Sequence, residues 1–362
     1  MHVRELAAAL NRLGAAVAIA SPRTEPAGDL LDAPIALVPI PQVVPRARES
    51  ELRSTLTVQR AAVLECARAF DAEAIYERYS LYSDAGVETA TTLGVPHLLE
   101  VNAPLRLEAR RFRTLRHPEV AAEVERMVFR RTSRLFAVSP ALKSWLAEEG
   151  VEPSRVEVVP NGIASERFRP RLEPRNGLFF VGFCGSLKAW HGIEVMLEAC
   201  ARAQSEEPSI RLEVVGSGPL DHLVRAQGLP RDRVLLHGAA THARAIELMR
   251  GWDVGLAPYL QLDGFYFSPL KVVEYMAAGL CAVASPLGEI PALLGDGTRG
   301  VLVPAGDADA LAEALVELAR NRDQAAERGR RARTYILRTH TWKRNARVVL
   351  DALRGRPGEL RA

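Results

Sequence analysis

An α/β protein built from two doubly wound, Rossmann-like domains is predicted by three observations. A strand, turn and helix alternation runs through the first half of the chain, the same alternation begins afresh at Leu178, and a stretch rich in Pro, Arg and Gly from Gly162 to Gly177 reads as the linker between them. At 362 residues, each domain has room for a full core. We place the first domain at residues 1–165 and the second at 166–340, with residues 341–362 as a helical tail packing back on the first. An apolar fraction of 48% with 25% charged residues excludes a disordered chain, and no apolar run is long enough to span a bilayer. The net charge of +3 is too small to point to nucleic acid, so no nucleic-acid partner is expected.

In the first half, apolar positions at helical spacing run from Val3 to Leu13, and Gly14 closes them ahead of a strand at Ala15–Ala20. A strand near Ile35–Val38, a helix over Ser50–Phe70, a strand at Ala74–Glu77, a helix at Ala85–Leu93 and a strand at His97–Val101 follow. This is the order of a parallel sheet. Leu105 to Arg134 is a helical region dense in arginine, with Arg106, Arg110, Arg111, Arg113, Arg116, Arg126, Arg130, Arg131 and Arg134. It reads either as a solvated face or as a surface for an anionic membrane or acceptor. A strand at Leu135–Val138, a helix at Pro140–Glu149 and a strand from Val156 close the domain.

The second half runs through a strand at Leu178–Cys184, a turn at Gly185–Gly192, a helix at Ile193–Ala203 and a strand at Arg211–Val215 that enters Gly216-Ser217-Gly218-Pro219. Strand Val234–His237, helix Ala243–Met249, strand Val254–Ala257, a helix at Ser268–Gly279, strands at Cys281–Ala284 and Gly300–Val303, and helices at Ala308–Arg320, Asp323–Arg338 and Trp342–Leu353 complete the chain. Cys66, Cys184, Cys200 and Cys281 form no CxxC pair and read as reduced thiols. With no basic and apolar leader at the N-terminus, a cytoplasmic protein is expected.

The helix at Ser268–Gly279 carries the densest signal. Ser268 reads as its N-cap, Pro269 as its first residue and Gly279 as its stop. Lys271 stands in the first turn, beside amide groups suited to an anion, and Glu274 lies about 4.5 Å further along the axis on the same face. The pair reads either as two contacts to one ligand, phosphate and hydroxyl, or as an ordinary i,i+3 ion pair. In the turn Gly185-Ser186-Leu187-Lys188-Ala189-Trp190-His191-Gly192, glycines permit close approach while Lys188 and His191 offer positive or donor groups. Gly216 and Gly218 are a weaker signal, because two glycines after a strand recur in many α/β folds.

Taken together, Val159-Pro160-Asn161-Gly162-Ile163, Phe183-Cys184-Gly185-Ser186-Leu187, Val215-Gly216-Ser217-Gly218-Pro219-Leu220 and Ser268-Pro269-Leu270-Lys271 through Glu274-Tyr275-Met276-Ala277-Ala278-Gly279 resemble the retaining glycosyltransferases of family 4. The resemblance implies the GT-B fold, two Rossmann-like domains facing a central cleft. It implies transfer of a sugar from a nucleotide-diphosphate donor to a glycan, lipid-linked or small-molecule acceptor, with retention and with neither metal nor cofactor. Glu274 matches the second glutamate of the family's EX7E motif, a ribose contact, and Tyr266 stands where the first would be. Ser186 and His191 stand where relatives have Arg and Lys, which leaves the diphosphate to Lys188, to Lys271 above all and to helix-end amides. The donor group thus comprises Gly185, Ser186, Lys188, His191, Gly216, Gly218, Tyr266, Ser268, Pro269, Leu270, Lys271 and Glu274, and Lys271 also carries a catalytic assignment.

In the first domain Asn102 occupies the place of a family histidine near the transferred sugar. Glu100 and Asn102 are the acceptor-side candidates, with Glu100 equally readable as a buried structural carboxylate. Relatives open on a strand and a Gly-Gly loop leading into a helix like His2-Val3-Arg4-Glu5-Leu6, so that strand and loop are expected to be absent here. Two other readings stay open: a nucleotide-sugar-binding protein impaired in catalysis, and an epimerase or hydrolase on the same fold. The arginine-rich region Arg106 to Arg134 adds the expectation of peripheral contact with the inner membrane face.

Overall fold

The computed structural model describes residues 2–22, 35–44, 47–112, 114–171, 177–226, 233–261, 266 and 268–355. The chain forms two compact units. The first comprises Met1–Gly162, Tyr266–Ser268 and Trp342–Ala362, and the second Ile163–Phe265 and Pro269–Thr341.

The first unit opens with α1 (His2–Arg12), β1 (Ala18–Ser21), β2 (Ala36–Pro39), α2 (Glu49–Ala69), β3 (Ile75–Arg78) and α3 (Ala85–Leu93). It continues with β4 (His97–Val101), α4 (Leu105–Phe112), α5 (Pro118–Arg131), β5 (Arg134–Ala137), α6 (Pro140–Glu148) and β6 (Val156–Val158). Strands β3-β4-β5-β6 form one parallel sheet, and β1-β2 pair separately, also in parallel. All five residues of β4 are buried, as expected for a parallel strand covered on both faces. Because successive strand side chains alternate, Leu99 and Leu135 face a core with Leu52, Val124 and Leu142, while Leu98 and Phe136 face the opposite side. The arginine-rich helical region comprises two helices, α4 and α5. Pro118, which suits a helix start, opens α5, and Arg134 belongs to β5.

In the second unit the order is β7 (Phe179–Cys184), α7 (Ile193–Glu206), β8 (Ile210–Val215), α8 (Asp221–Ala226), β9 (Val234–Gly238), α9 (His242–Met249) and β10 (Val254–Ala257). Then come α10 (Leu270–Ala278), β11 (Cys281–Ala284), α11 (Ile290–Leu294), β12 (Gly300–Leu302), α12 (Ala308–Arg320) and α13 (Arg322–Thr339). The short helices α8 and α11 are additions to the sequence-based expectation. The six parallel strands lie in the order β12-β11-β10-β7-β8-β9, a doubly wound sheet whose chain path reverses between β7 and β10. Phe179, Val181 and Phe183 of β7 pack with Met196, Leu197, Leu256 and Leu315 in its core.

The last helix, α14 (Trp342–Leu353), returns to the first unit. Its Val348 and Val349 cover Leu98 and Phe136, and Asn345 Nδ2 donates to the Pro160 carbonyl at 2.8 Å. All four cysteines are free; Cys200 and Cys281 are buried, Cys66 and Cys184 half-buried. Among the described residues no helix is long and apolar enough to cross a membrane.

One boundary differs in a way that matters for the site. Helix α10 begins at Leu270, with Pro269 rather than Ser268 in the N-cap position. Pro269 has ψ of 69°, outside the helical range, and its carbonyl accepts from the N–H groups of Val272 and Val273 at 2.9 and 3.2 Å. Ser268 is buried and groups with the first unit, and no side chain caps this helix. The stop is as expected: Gly279 takes the left-handed conformation at φ 81°.

Candidate functional site

In a doubly wound sheet, ligands bind beyond the carboxyl ends of the strands where the winding reverses. Here that point lies beyond Cys184 of β7 and Ala257 of β10. The loop after β7 rests on the loop after β8: Leu187 N–H donates to the Ser217 carbonyl at 3.0 Å and Leu220 N–H to the Leu187 carbonyl at 3.1 Å. Gly216, at φ 141°, could not carry a side chain, because a Cβ would stand 1.8 Å from the Gly185 carbonyl oxygen. A Cβ on Gly218 would likewise stand 2.6 Å from the Leu187 carbonyl oxygen. The structure therefore spends these two glycines on loop-to-loop packing. The glycine that opens space toward a charged group is Gly185, where a Cβ would come within 3.1 Å of Lys271 Nζ.

Lys271 lies in the first turn of α10 with only 9% of its surface exposed, and its Nζ has no hydrogen-bond partner among the described residues. Two rings shelter it, Phe183 with its centroid at 4.2 Å and Tyr259 at 5.1 Å. Burial pushes its pKa down to about 7, against an opposing pull from Cys184 and Glu274. The i,i+3 ion pair with Glu274 does not form. Glu274 Oε1 instead accepts a hydrogen bond from His242 Nε2, at 2.7 Å, across from the start of α9.

Of the two roles expected for His191, positive group or donor, the geometry gives the donor. Burial first, and then the Lys271 ammonium, push its pKa down to about 4, and its Nδ1 donates to the Ser186 carbonyl at 2.5 Å. It is a neutral imidazole that holds the loop closed, with its ring 5.6 Å from that of Tyr259. Ser186 contributes its carbonyl to that contact. Lys188 Nζ lies 4.6 Å from the ring centroid of Trp190, which is 40% exposed. Leu270 is exposed at the first turn of α10, and Pro269 caps it.

Tyr266 and Ser268 group with the first unit, where the Tyr266 hydroxyl donates to Glu108 and the Tyr266 carbonyl accepts from the Ser139 hydroxyl. The neighbouring Phe265 and Phe267 lie outside the described residues.

Glu100 is buried at the end of β4, and neighbours engage it from several sides. The Tyr76 hydroxyl donates to it at 2.7 Å, the Asn102 amide donates to it, His2 Nε2 stands 2.8 Å away and Arg78 3.8 Å away. Burial pushes the carboxyl up, but the contacts from His2, Tyr76 and Asn102 outweigh it and hold the pKa below its ordinary value. Glu100 is thus a buried carboxylate met by several donors, and Asn102 is one of them. The arginine-rich region is also partly committed. Arg106 reaches Glu125 at 2.5 Å and Glu149 at 2.8 Å, Arg131 reaches Glu88 at 2.7 Å, and Arg134 donates to the Ser154 carbonyl. Arg113 lies outside the described residues. Among the described residues no group of three or more His, Cys, Asp or Glu side chains converges as a metal ion requires.

A phosphate-sized anion and a hydroxylated group could thus be met within one turn of α10, by Lys271 and Glu274. The family model described as "Glycosyltransferase Family 4" matches residues 1–167, and the one described as "Glycosyl transferases group 1" matches residues 179–321. The chain belongs to this glycosyltransferase family. A phosphatidyl-myo-inositol mannosyltransferase of Mycolicibacterium smegmatis is 34% identical over 186 residues, covering 50% of this chain and 46% of that relative. The match thus spans about half of that protein's length. A D-inositol 3-phosphate glycosyltransferase of an Arthrobacter species is 25% identical over 385 residues, covering 97% of this chain and 88% of the relative. Among solved structures, sucrose-phosphate synthase from Thermosynechococcus elongatus superposes with a TM-score of 0.73 at 21% identity, over 98% of this chain and 92% of that one. The fold of this glycosyltransferase-family chain is GT-B.

Residue patterning missed three parts of the cluster. Phe183 is the last but one residue of β7, and Tyr259 lies just past the end of β10, both at the reversal point. His242 was passed over within the Thr241-His242 start of α9, where a helix opening after a strand end on the same edge was the available signal.

Proposed function

We propose that this protein transfers a glycosyl group from a nucleoside-diphosphate sugar to an acceptor hydroxyl, with retention at the anomeric carbon. The observation that carries the reading is Lys271: a buried ammonium without a hydrogen-bond partner among the described residues, beside Gly185, at the start of α10. An unpaired buried cation is costly, and an anion seated there would relieve the cost while meeting the helix amides. A donor diphosphate supplies that anion, and the ribose hydroxyls fall to Glu274 one turn further along. In the reaction the bond from the anomeric carbon to the diphosphate oxygen breaks, and the charge gathering on the leaving group is stabilised by Lys271. The acceptor oxygen bonds to the same face of that carbon and its proton passes to the departing phosphate oxygen, so the step needs neither a side-chain nucleophile nor a cofactor.

The acceptor is a hydroxyl compound whose class the names of the relatives leave broad, since one is named for a phospholipid and another for a small inositol phosphate. Peripheral membrane contact is proposed only for the exposed remainder of the arginine-rich region, Arg110, Arg116, Arg126 and Arg130. Cosedimentation with vesicles of phosphatidylglycerol and phosphatidylcholine, set against phosphatidylcholine alone, tests it; equal recovery from both would remove it.

The function itself is tested by incubating the protein with UDP-, GDP- and ADP-sugars, with and without acceptors, while measuring free nucleoside diphosphate. Release that requires an acceptor, and a product with the anomeric configuration of the donor, is expected. Equal release without acceptor would mean hydrolysis, conversion of the donor alone would mean epimerisation, and binding without turnover would leave a donor-binding protein.

A further inference from the structure

Glu274 is useful to a ribose only if its carboxylate is held in one place. A glutamate has three rotatable side-chain bonds, and fixing them opposes binding unless the protein has done so beforehand. The neighbour that would normally restrain it, Lys271 three residues earlier, makes no ion pair with it. The restraint comes from the adjacent helix. His242 is the first residue of α9, after Thr241, whose hydroxyl accepts from the Arg244 N–H at 3.2 Å and so fixes the helix start. From there Nε2 donates to Glu274 Oε1 at 2.7 Å. The side chains are 23% and 19% exposed, so the bond is largely shielded from water.

The hydrogen bond also sets which ring nitrogen of His242 donates. Nε2 faces a carboxylate oxygen and must carry a hydrogen, whereas His242 Nδ1 is buried and has no partner among the described residues. In the neutral imidazole the hydrogen therefore sits on Nε2. A neutral donor orients the carboxylate without cancelling its charge. Glu274 Oε2, and the second lone pair of Oε1, remain for two hydroxyl groups.

We infer that His242 is a positioning residue for this site: through Glu274 it presents a carboxylate to a pair of adjacent sugar hydroxyls on the donor nucleotide. The inference rests on the donor reading given above, and the following measurement separates the two. UDP, GDP and ADP are first compared by calorimetry to find the diphosphate that binds, and that diphosphate is then compared with its 2′,3′-dideoxy counterpart. The wild-type protein should prefer the ribonucleotide by at least about tenfold, the worth of a hydrogen bond to a charged group. Glu274→Gln and His242→Ala should each lose most of that preference while keeping affinity for the dideoxy form. Gln and Asn at position 242 have the same amide but different reach. His242→Gln can place a donor where Nε2 stands and should retain the preference; His242→Asn cannot and should lose it, a contrast that folding defects do not produce. Preference kept in His242→Ala and His242→Asn but lost in Glu274→Gln overturns the inference and leaves the donor reading standing. Preference kept in Glu274→Gln removes the ribose contact and the inference together. Failure of all three diphosphates to bind removes the donor reading itself.

Discussion

Burying an ammonium without a partner works against folding, and Lys271 shows where that cost has been accepted. Its pKa of about 7 lies below the ordinary 10.5, chiefly through burial. Between those two values the unfolded chain holds the proton and the folded chain does not, so stability rises with pH across that window. The cost is complete below about pH 7 and gone above 10.5. Lys271→Met, which would fill the space between Phe183 and Tyr259 without charge, should raise stability by about 1–3 kcal/mol at pH 7. It should also weaken nucleoside-diphosphate binding on the order of a hundredfold. Urea unfolding at pH 7 and pH 9 checks the first part: the advantage of the variant over wild type should shrink by about 1–2 kcal/mol at the higher pH. An advantage independent of pH would mean that Lys271 is not the titrating group. For the wild-type protein, diphosphate affinity should fall as pH rises above 7, since binding then has to recruit a proton to Lys271. Titration calorimetry in two buffers of different ionisation enthalpy would detect that proton.

At the scale of elements, the site depends on how the loop after β7, the loop after β8 and the start of α10 meet. The strands and helices themselves were legible because alternation, glycine stops and helix-start residues are local signals. The start of α10 was not, since a serine before a proline is a good N-cap only if the proline takes a helical ψ, and Pro269 does not. The glycines were legible as turn residues but not by purpose. Gly216 and Gly238 both have positive φ, yet a Cβ at Gly216 meets backbone at 1.8 Å while one at Gly238 meets nothing within 4 Å. Gly238→Ala should therefore cost about 1–2 kcal/mol, the backbone term alone. Gly216→Ala should cost about 3 kcal/mol or more and also weaken diphosphate binding, because the Gly185 loop must move. Similar unfolding midpoints for the two variants would contradict this account.

For the whole molecule, the chain leaves the second unit at Thr341 and ends in the first, where α14 covers Leu98 and Phe136. Removing residues 342–362 uncovers both and takes away Trp342, Val348 and Val349, a loss on the order of 5 kcal/mol by burial of apolar side chains. That is comparable with the stability of an ordinary domain. Limited proteolysis of the shortened chain should digest the first unit while residues 178–341 resist, and digestion matching that of the full chain would refute the assignment. The sequence by itself determined the α/β class, the two rounds of strand and helix, the stop at Gly279, and Lys271 and Glu274 as neighbours on one helix. These follow from periodicity and backbone preference, which act over a few residues. Only the tertiary structure decided the partners. Between the two readings of Lys271 and Glu274 it excluded the ion pair, leaving Lys271 a buried ammonium with no hydrogen-bond partner among the described residues and Glu274 a carboxylate held by His242, 32 residues away. It also surrounded Glu100 with donors and made His191 a neutral one-sided donor. The physical reason is that charge pairing and pKa are set by distance and burial, and both depend on how separate elements pack.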